Sequence, residues 1–403
     1  MSKTHNPKGE WLAPRALARA FSFALPFLLV ELFDEVSFGL QAPAIPGIQT
    51  ELRLSYAEVG LLLGVPGIVN AFVEPFILLL AEGTRRRRLI LGGGLALALA
   101  WLVISAAGDF HLILAAAVLA YPASGAFVTL RQASLIDGSP GREVAMMARW
   151  NAAGSLGSLL GPGIMAASLA LGAGWRPPYA LLGGGGITLS LWVYSRLQPR
   201  GRRREAGSDS PIQLLPRALD IAKDPNVRRW ILLLQVSDLM LDILTGYSGL
   251  YLTRVVGLSP AMAALTLTGL TVAGFAADLW LVRILDRAPG RRIVRVSAVL
   301  VACLYPLFLV VPWAGLKVGL LLLIRVLSAA WYPVLQAEAY TSANGRTTAM
   351  LALSSAAGVI GSGLAWAVGW LAGVAGLQAA MWLLLLGPLG LLLFVPGGRR
   401  GVQ

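Results

Sequence analysis

Residues 82–88 read Glu-Gly-Thr-Arg-Arg-Arg-Arg, and residues 285–292 read Leu-Asp-Arg-Ala-Pro-Gly-Arg-Arg. In each an acid precedes a pair of arginines at one spacing: Glu82 before Arg87 and Arg88, Asp286 before Arg291 and Arg292. The two sets lie 204 positions apart, and the same ungapped offset recurs along the chain. It aligns Asp34 with Asp238, Leu54 and Ser55 with Leu258 and Ser259, Glu74 with Asp278, Gly141-Arg142 with Gly345-Arg346, and Gly154 and Gly157 with Gly358 and Gly361. Internal repetition of this kind reports architecture before any single motif does. The chain reads as a duplication: one half over 1–197, a second over 229–403, and between them a linker, 198–228, polar at its start and rich in Arg, Pro, Gly and Ser.

Between the charged loops the chain is apolar. Hydrophobic residues make up 57% of the sequence and charged ones 13%, against about a quarter charged in soluble domains. Apolar stretches run near 20–41, 56–80, 89–107, 111–135, 149–171 and 178–196, then near 230–252, 260–284, 293–311, 316–340, 347–371 and 377–395. Each suits a membrane crossing of about 20 residues, and a bilayer requires the backbone to satisfy its hydrogen bonds within each segment, as a helix does. Six crossings per half is even, so the halves run parallel and are related by an axis along the membrane normal. The expected fold is therefore an all-α integral membrane protein, with about twelve transmembrane helices in two six-helix pseudo-symmetric bundles. The first stretch is not read as a cleaved signal peptide, because it carries Glu31, Asp34 and Glu35.

A net charge of +13 would suggest nucleic acid in a soluble protein, so the placement of the charges decides its meaning. With the amino terminus in the cytoplasm, the basic residues of the tail, Arg85 to Arg88, the cluster from Arg196 to Arg229 and the group from Arg283 to Arg295 all lie inside, and only Arg53, Arg176, Arg254 and Lys317 fall in outer loops. That asymmetry follows the positive-inside rule. It predicts a multi-pass protein of the cell (inner) membrane with both termini cytoplasmic, and no nucleic-acid partner.

Cys303 is the single cysteine, and His5 and His111 are the two histidines, so neither an internal disulfide nor a zinc site is expected. Cys303 reads as a packing residue of an apolar helix. The runs Gly92–Gly94 and Gly183–Gly186 lack the Gly-Lys-Ser/Thr ending and strand context of a phosphate loop, and read as tight helix packing. No recognisable catalytic constellation or cofactor motif is present. The expected partners are a small-molecule substrate, protons and the lipid bilayer, with the protein acting as a monomer and driven by a gradient.

The arginine loops resemble the loop of form Gly-x-Leu-a-Asp-Arg-x-Gly-Arg-Arg of the major facilitator superfamily, the second copy more closely than the first. Further motifs extend the resemblance over nearly the whole chain. Gly157-Ser158-Leu159-Leu160-Gly161-Pro162-Gly163, in the fifth stretch, is similar to the Gly-x-x-x-Gly-Pro motif of the drug/proton antiporter branch; the second half has Ala365 and Trp366 where the later Gly-Pro would fall. Small residues four apart allow close backbone contact, and Pro162 bends the helix. Arg325-Val326-Leu327-Ser328 in the tenth stretch resembles an arginine motif that the family usually places in the fourth, where the register position here is Tyr121. The resemblance implies alternating access. The acids Glu82 and Asp286, with Arg87, Arg88, Arg291 and Arg292, would then latch one conformation, and Glu74 and Asp278 would gate the interface between the halves.

Charge at membrane depth is costly, about 2.5–3.5 kcal/mol on insertion scales, and marks function by default. Glu31, Asp34 and Glu35 fall at i, i+3 and i+4 on one arc of the first helix, and Asp238 and Asp242 repeat the theme in the seventh. The family's central cavity is lined by these two helices. Arg325 is the basic residue expected at mid-depth, able to exchange carboxylate partners; Glu338 is a further cavity candidate. Five acids against one arginine leave surplus carboxyls, which a proton-coupled carrier requires. Tyr121, Tyr247, Tyr251, Trp331, Tyr332, Trp366 and Trp370 fall at cavity-helix positions, where they could stack on a cationic ligand or anchor the membrane interface. The expected function is proton-coupled export of small amphipathic or drug-like compounds, with uptake of a sugar or other metabolite, or lipid carriage, as the rivals.

Overall fold

A computed structural model describes residues 14–80, 84–139, 142–196, 220–342 and 347–396. Glu82, Gly141, Gly345 and most of the 198–228 span lie outside the described residues. Among those described there is no strand, and the helices form twelve long units. In the first half they are α1 (Pro14–Gly39, resuming as Gln41–Leu52), α2 (Tyr56–Leu80), α3 (Thr84–Ala106), α4 (Phe110–Asp137), α5 (Glu143–Ala170) and α6 (Arg176–Arg196). In the second they are α7 (Pro225–Arg254), α8 (Pro260–Leu285), α9 (Gly290–Val310), α10 (Ala314–Ser342), α11 (Thr347–Ala375) and α12 (Leu377–Phe394). Ten are long and apolar enough to cross a membrane. α1, laden with acids, and α6, with its four consecutive glycines, are the other two.

Local chemistry starts the helices where the sequence register pointed. Ser55 and Glu58 form a reciprocal capping box at the head of α2: the Ser55 N–H donates to Glu58 Oε2 at 2.7 Å and the Glu58 N–H to Ser55 Oγ at 3.2 Å. Its register partner Ser259 caps α8, accepting from the Met262 N–H at 3.3 Å. The recurring Leu-Ser pairs are thus helix starts. Large apolar side chains such as Leu171, Trp280, Trp313 and Leu393 stand exposed on the outer faces of the bundles, a surface suited to lipid and not to water. Cys303 is exposed as well, so the packing role expected of it is corrected.

Five helices are irregular, four of them in two matched pairs; the fifth, α12, tightens to a 3-10 turn at Trp382–Leu385. α1 breaks at Leu40 and α4 has a π-helical segment at Gly125–Thr129; α7 has a π-helical segment at Leu239–Ile243 and α10 breaks at Ala329–Ala330. Leu40 lies one residue from the register image of the α7 segment, and Gly125–Thr129 images the α10 break. Non-regular backbone at membrane depth is tolerated where it is buried in protein or lines a cavity, and π-bulges concentrate at functional sites.

The halves meet on the face that carries Arg53 and Arg254. There α2 and α11 cross so closely that a β-carbon on Gly60 would lie 2.9 Å from Gly369 Cα, and one on Gly64 2.5 Å from the Ser362 carbonyl oxygen. Arg254 of α7 donates to Thr50 Oγ1 at 2.7 Å and Gln49 Oε1 at 3.2 Å on α1. Thr50 and Arg254 are register partners that touch each other. Toward the opposite face, Phe72, Phe76 and Leu80 of α2 are exposed.

Candidate functional site

The acids of α1 reach a polar cavity of about 280 Å³ in the first bundle, lined by side chains of α1, α2, α4 and α5. Most serine and threonine hydroxyls in these helices bond back to a carbonyl three or four residues earlier, as Ser37 does to Phe33 at 2.7 Å. At the cavity they are directed to carboxylates. Ser124 donates to Asp34 at 2.8 Å, Thr129 to Glu74 at 3.2 Å and Ser158 to Glu35 at 2.6 Å. Asn70 Nδ2 also donates to Glu74, at 2.9 Å. Ser124 and Thr129 bracket the π-helical segment of α4, so carboxylates from two neighbouring helices hold its two ends. Glu74 itself lies against Gly125, where a β-carbon would be 2.9 Å from its Oε1. Among the described residues no Lys, Arg or His side chain lines this cavity.

Aromatic rings share the wall: Phe38 and Tyr121 meet edge to face at 5.1 Å, and Trp150 adds its indole. The register images of Phe38 and Tyr121 are Asp242 and Arg325. In the second bundle charged residues thus stand in the positions that the first bundle fills with aromatic ones, and among the described residues Arg325 makes no ion pair within 4 Å. The Arg325 guanidinium lies over Gly274 of α8, where a β-carbon would be 2.6 Å from Nη2. Asp238 stands near Gln235, with Gly361 of α11 donating its N–H to Gln235 Oε1 at 3.2 Å.

The residues expected to gate are placed differently from one another. Glu74 joins the cavity wall, and Asp278 is exposed near Arg325. Arg87 lies over the Tyr194 ring at 4.1 Å, and Arg86 bridges to Asp137 at 3.0 Å within the first bundle. Arg291 forms a two-pronged pair with Glu338 at 2.5 Å and lies over the Trp230 ring. Glu338, expected in the cavity, is thus held beside the arginine turn of its own bundle. Arg88, Arg292 and Asp286 are exposed, and Asp286 makes no ion pair among the described residues. In this conformation the arginine turns are tied within their own halves, while Arg254 ties the halves together on the other face. Arg254→Ala is expected to widen that face. With spin labels on cysteines at Arg53 and Met262 in a Cys303→Ser background, the inter-label distance distribution should gain a longer population; an unchanged distribution would deny Arg254 a latching role.

Helix packing in the fifth stretch follows the glycines. A β-carbon on Gly157 would lie 2.6 Å from the Leu32 carbonyl oxygen, and one on Gly161 2.8 Å from Gly39 Cα; Pro162 Cδ sits 3.1 Å from the β-carbon position of Gly39. Among the aromatic residues, Tyr247, Tyr251 and Trp331 are fully buried in the second bundle and are core residues; Trp331 donates to Ser297 at 2.8 Å. Tyr332 remains exposed beside Asp238 and Asp242. Lys317, expected in a loop, is in the first turn of α10 and only 5% exposed. Sequence reasoning also passed over Trp150 and the hydroxyls of Ser124, Thr129 and Ser158; their spacing to the acids across helices was the missing information.

Twelve long helices, several of them interrupted, with a polar cavity in the first half, fit a multi-pass membrane transport protein. The chain belongs to the Major Facilitator Superfamily, whose family model matches residues 27–365. No curated protein matches the sequence. Among solved structures, a point mutant of the nucleoside transporter NupG superposes with a TM-score of 0.76 at 12% identity, covering 92% of this chain and 98% of that one. A bacterial homolog of the human lysosomal transporter Spinster, in its inward-facing unoccupied form, gives 0.71 at 17% identity, covering 93% and 96%. A D-xylose–proton symporter gives 0.71 at 13% identity, covering 94% and 98%. At these identities the likeness is one of fold.

Proposed function

We propose that the protein is a proton-coupled exporter of small amphipathic cations, working by alternating access as a monomer of the cell (inner) membrane. The observation that carries this reading is the cavity in which Glu31, Asp34, Glu35 and Glu74 meet Phe38, Tyr121 and Trp150, with no lining base among the described residues. Four carboxylates gathered at membrane depth repel one another, and some must take up protons or a cationic ligand. The aromatic rings offer an apolar surface whose π-faces also attract cations. Proton and cation would compete for the same carboxylates, which couples the inward flow of one to the outward flow of the other. Glu74 belongs in this reading to the coupling group, with Asp238, Asp242 and Arg325 as the second bundle's contribution.

Both termini and the 198–228 linker are assigned to the cytoplasm, as the basic turns support. A cysteine at Ser208 should resist an impermeant maleimide in whole cells and react after lysis; ready labelling of intact cells would reverse the orientation. Purified protein in liposomes, with an imposed pH gradient and ethidium as the probe, tests the transport reading. Accumulation of ethidium against its gradient, abolished by a protonophore, is expected. The likeness to the D-xylose–proton symporter keeps metabolite uptake as the rival. Gradient-driven movement of xylose or a nucleoside, with none of ethidium, would favour that rival.

A further inference from the structure

Two side chains of α5 face the two glutamates of α1. The Trp150 indole is 2% exposed and lines the cavity with Glu31; just over two helical turns later Ser158 Oγ donates to Glu35 Oε2 at 2.6 Å. Each glutamate also rests on a glycine of α5. A β-carbon on Gly154 would lie 2.7 Å from Glu31 Oε1, and one on Gly157 2.7 Å from Glu35 Cβ. Close helix packing alone calls for small residues; it does not call for a polar side chain of α5 beside each carboxylate.

The second bundle lacks the arrangement. Ser354 and Ser362 stand in register with Trp150 and Ser158, but their facing positions on α7 are Gln235 and Leu239, and the β-carbon position of Gly358 is open. The second bundle keeps one notch, Gly361 against Gln235, but has no glutamate there to be held.

The geometry points to α5 as the element that orients the coupling carboxylates: Trp150 and Ser158 are positioning residues for Glu31 and Glu35, and Gly154 and Gly157 are the notches that let the two acids reach them. This rests on the reading of the α1 acids as proton carriers. The other charged or titratable groups packed around them are Asp34 on α1, Glu74 from α2, Tyr121 and Arg131 from α4, and Arg149 on α5. Arg131 is turned to the Phe27 ring at 3.7 Å and Arg149 to Met146 Sδ at 3.8 Å. Neither of these arginines is directed at the glutamates, so the α5 side chains are the polar partners that face them.

Dicyclohexylcarbodiimide, an apolar reagent for protonated carboxyls, tests this on the purified protein in liposomes, with labelling at each glutamate read by peptide mass spectrometry. A lost donor leaves the carboxylate less favoured against the acid. At alkaline pH, where the wild-type carboxyls are mostly ionised, Trp150→Phe should therefore raise labelling of Glu31 by about ten-fold and leave Glu35 unchanged, and Ser158→Ala should do the converse, the factor of one hydrogen bond to a charged group. Dividing each rate by its value at acid pH, where every carboxyl is protonated, cancels changes of access. Ser158→Thr, which keeps the hydroxyl, should restore the wild-type ratio. Ratios unchanged in both variants, or changed equally at both glutamates, would overturn the assignment. The labelling needs no transport: a protein that labels as expected but moves no ethidium refutes the transport reading and leaves the positioning roles standing.

Discussion

Glu31→Gln and Glu35→Gln are each expected to abolish pH-gradient-driven accumulation of ethidium while retaining counterflow exchange, at a higher half-saturating ethidium concentration than wild type. One proton coupled per substrate lets each pH unit across the membrane support about ten-fold accumulation, since a pH unit is about 1.4 kcal/mol. A glutamine keeps the size and polarity of the side chain but carries no ionisable proton, so the variant should equilibrate ethidium without concentrating it. Exchange of labelled for unlabelled ethidium moves no net proton and should persist. Asp34 has the register partner Asp238, whereas Glu31 and Glu35 have Gln235 and Leu239 in register and are particular to one half. Gradient-driven accumulation at wild-type levels by both variants would remove these acids from the coupling mechanism.

Lys317→Met is expected to lower the apparent melting temperature of the detergent-solubilised protein by several degrees, with the variant still able to bind and move substrate at low temperature. The ammonium is buried at the end of α9, where Nζ donates to Tyr251 Oη at 2.7 Å and to the Phe308 and Leu309 carbonyl oxygens at 2.9 Å each. An ammonium has three donors, and all three are used. It also brings positive charge to the negative end of a helix, with the Tyr251 and Phe308 rings packed against it at 5.0 and 5.5 Å. Methionine fills similar volume but leaves the Phe308 carbonyl oxygen without this donor, a loss of about 1–3 kcal/mol for each buried group left unpaired. A melting temperature equal to that of the wild type would show that the ammonium is dispensable to the bundle.

Fold and site were legible in the sequence to different degrees, for a physical reason. Twelve apolar stretches and a constant register of 204 positions follow from composition and spacing alone, and the membrane forces them into helices. The acids of α1 announced themselves because charge is rare at that depth. The facing of the aromatics was not legible. A helix that is apolar all round carries no stripe to show which side is inward, so Tyr247, Tyr251 and Trp331 read as cavity residues and proved to be core. Lys317 read as a loop charge because its acceptors come from the end of another helix. Glu74 read as a gate because its sequence neighbour is an arginine turn, whereas its partners, Thr129 and the Gly125 notch, belong to a different helix.

The contact between Thr50 and Arg254 bears on how such a chain can arise. Register partners touch each other only at the pseudo-two-fold axis, and in an assembly of two separate, identical halves a residue at that place meets its own copy. Two arginines there would set like charges against each other, and two threonines would forgo the charged donor. Only after the halves share one polypeptide can one copy become the donor and the other the acceptor. The bond that closes this face is therefore available to a fused chain and denied to a symmetric dimer of its halves.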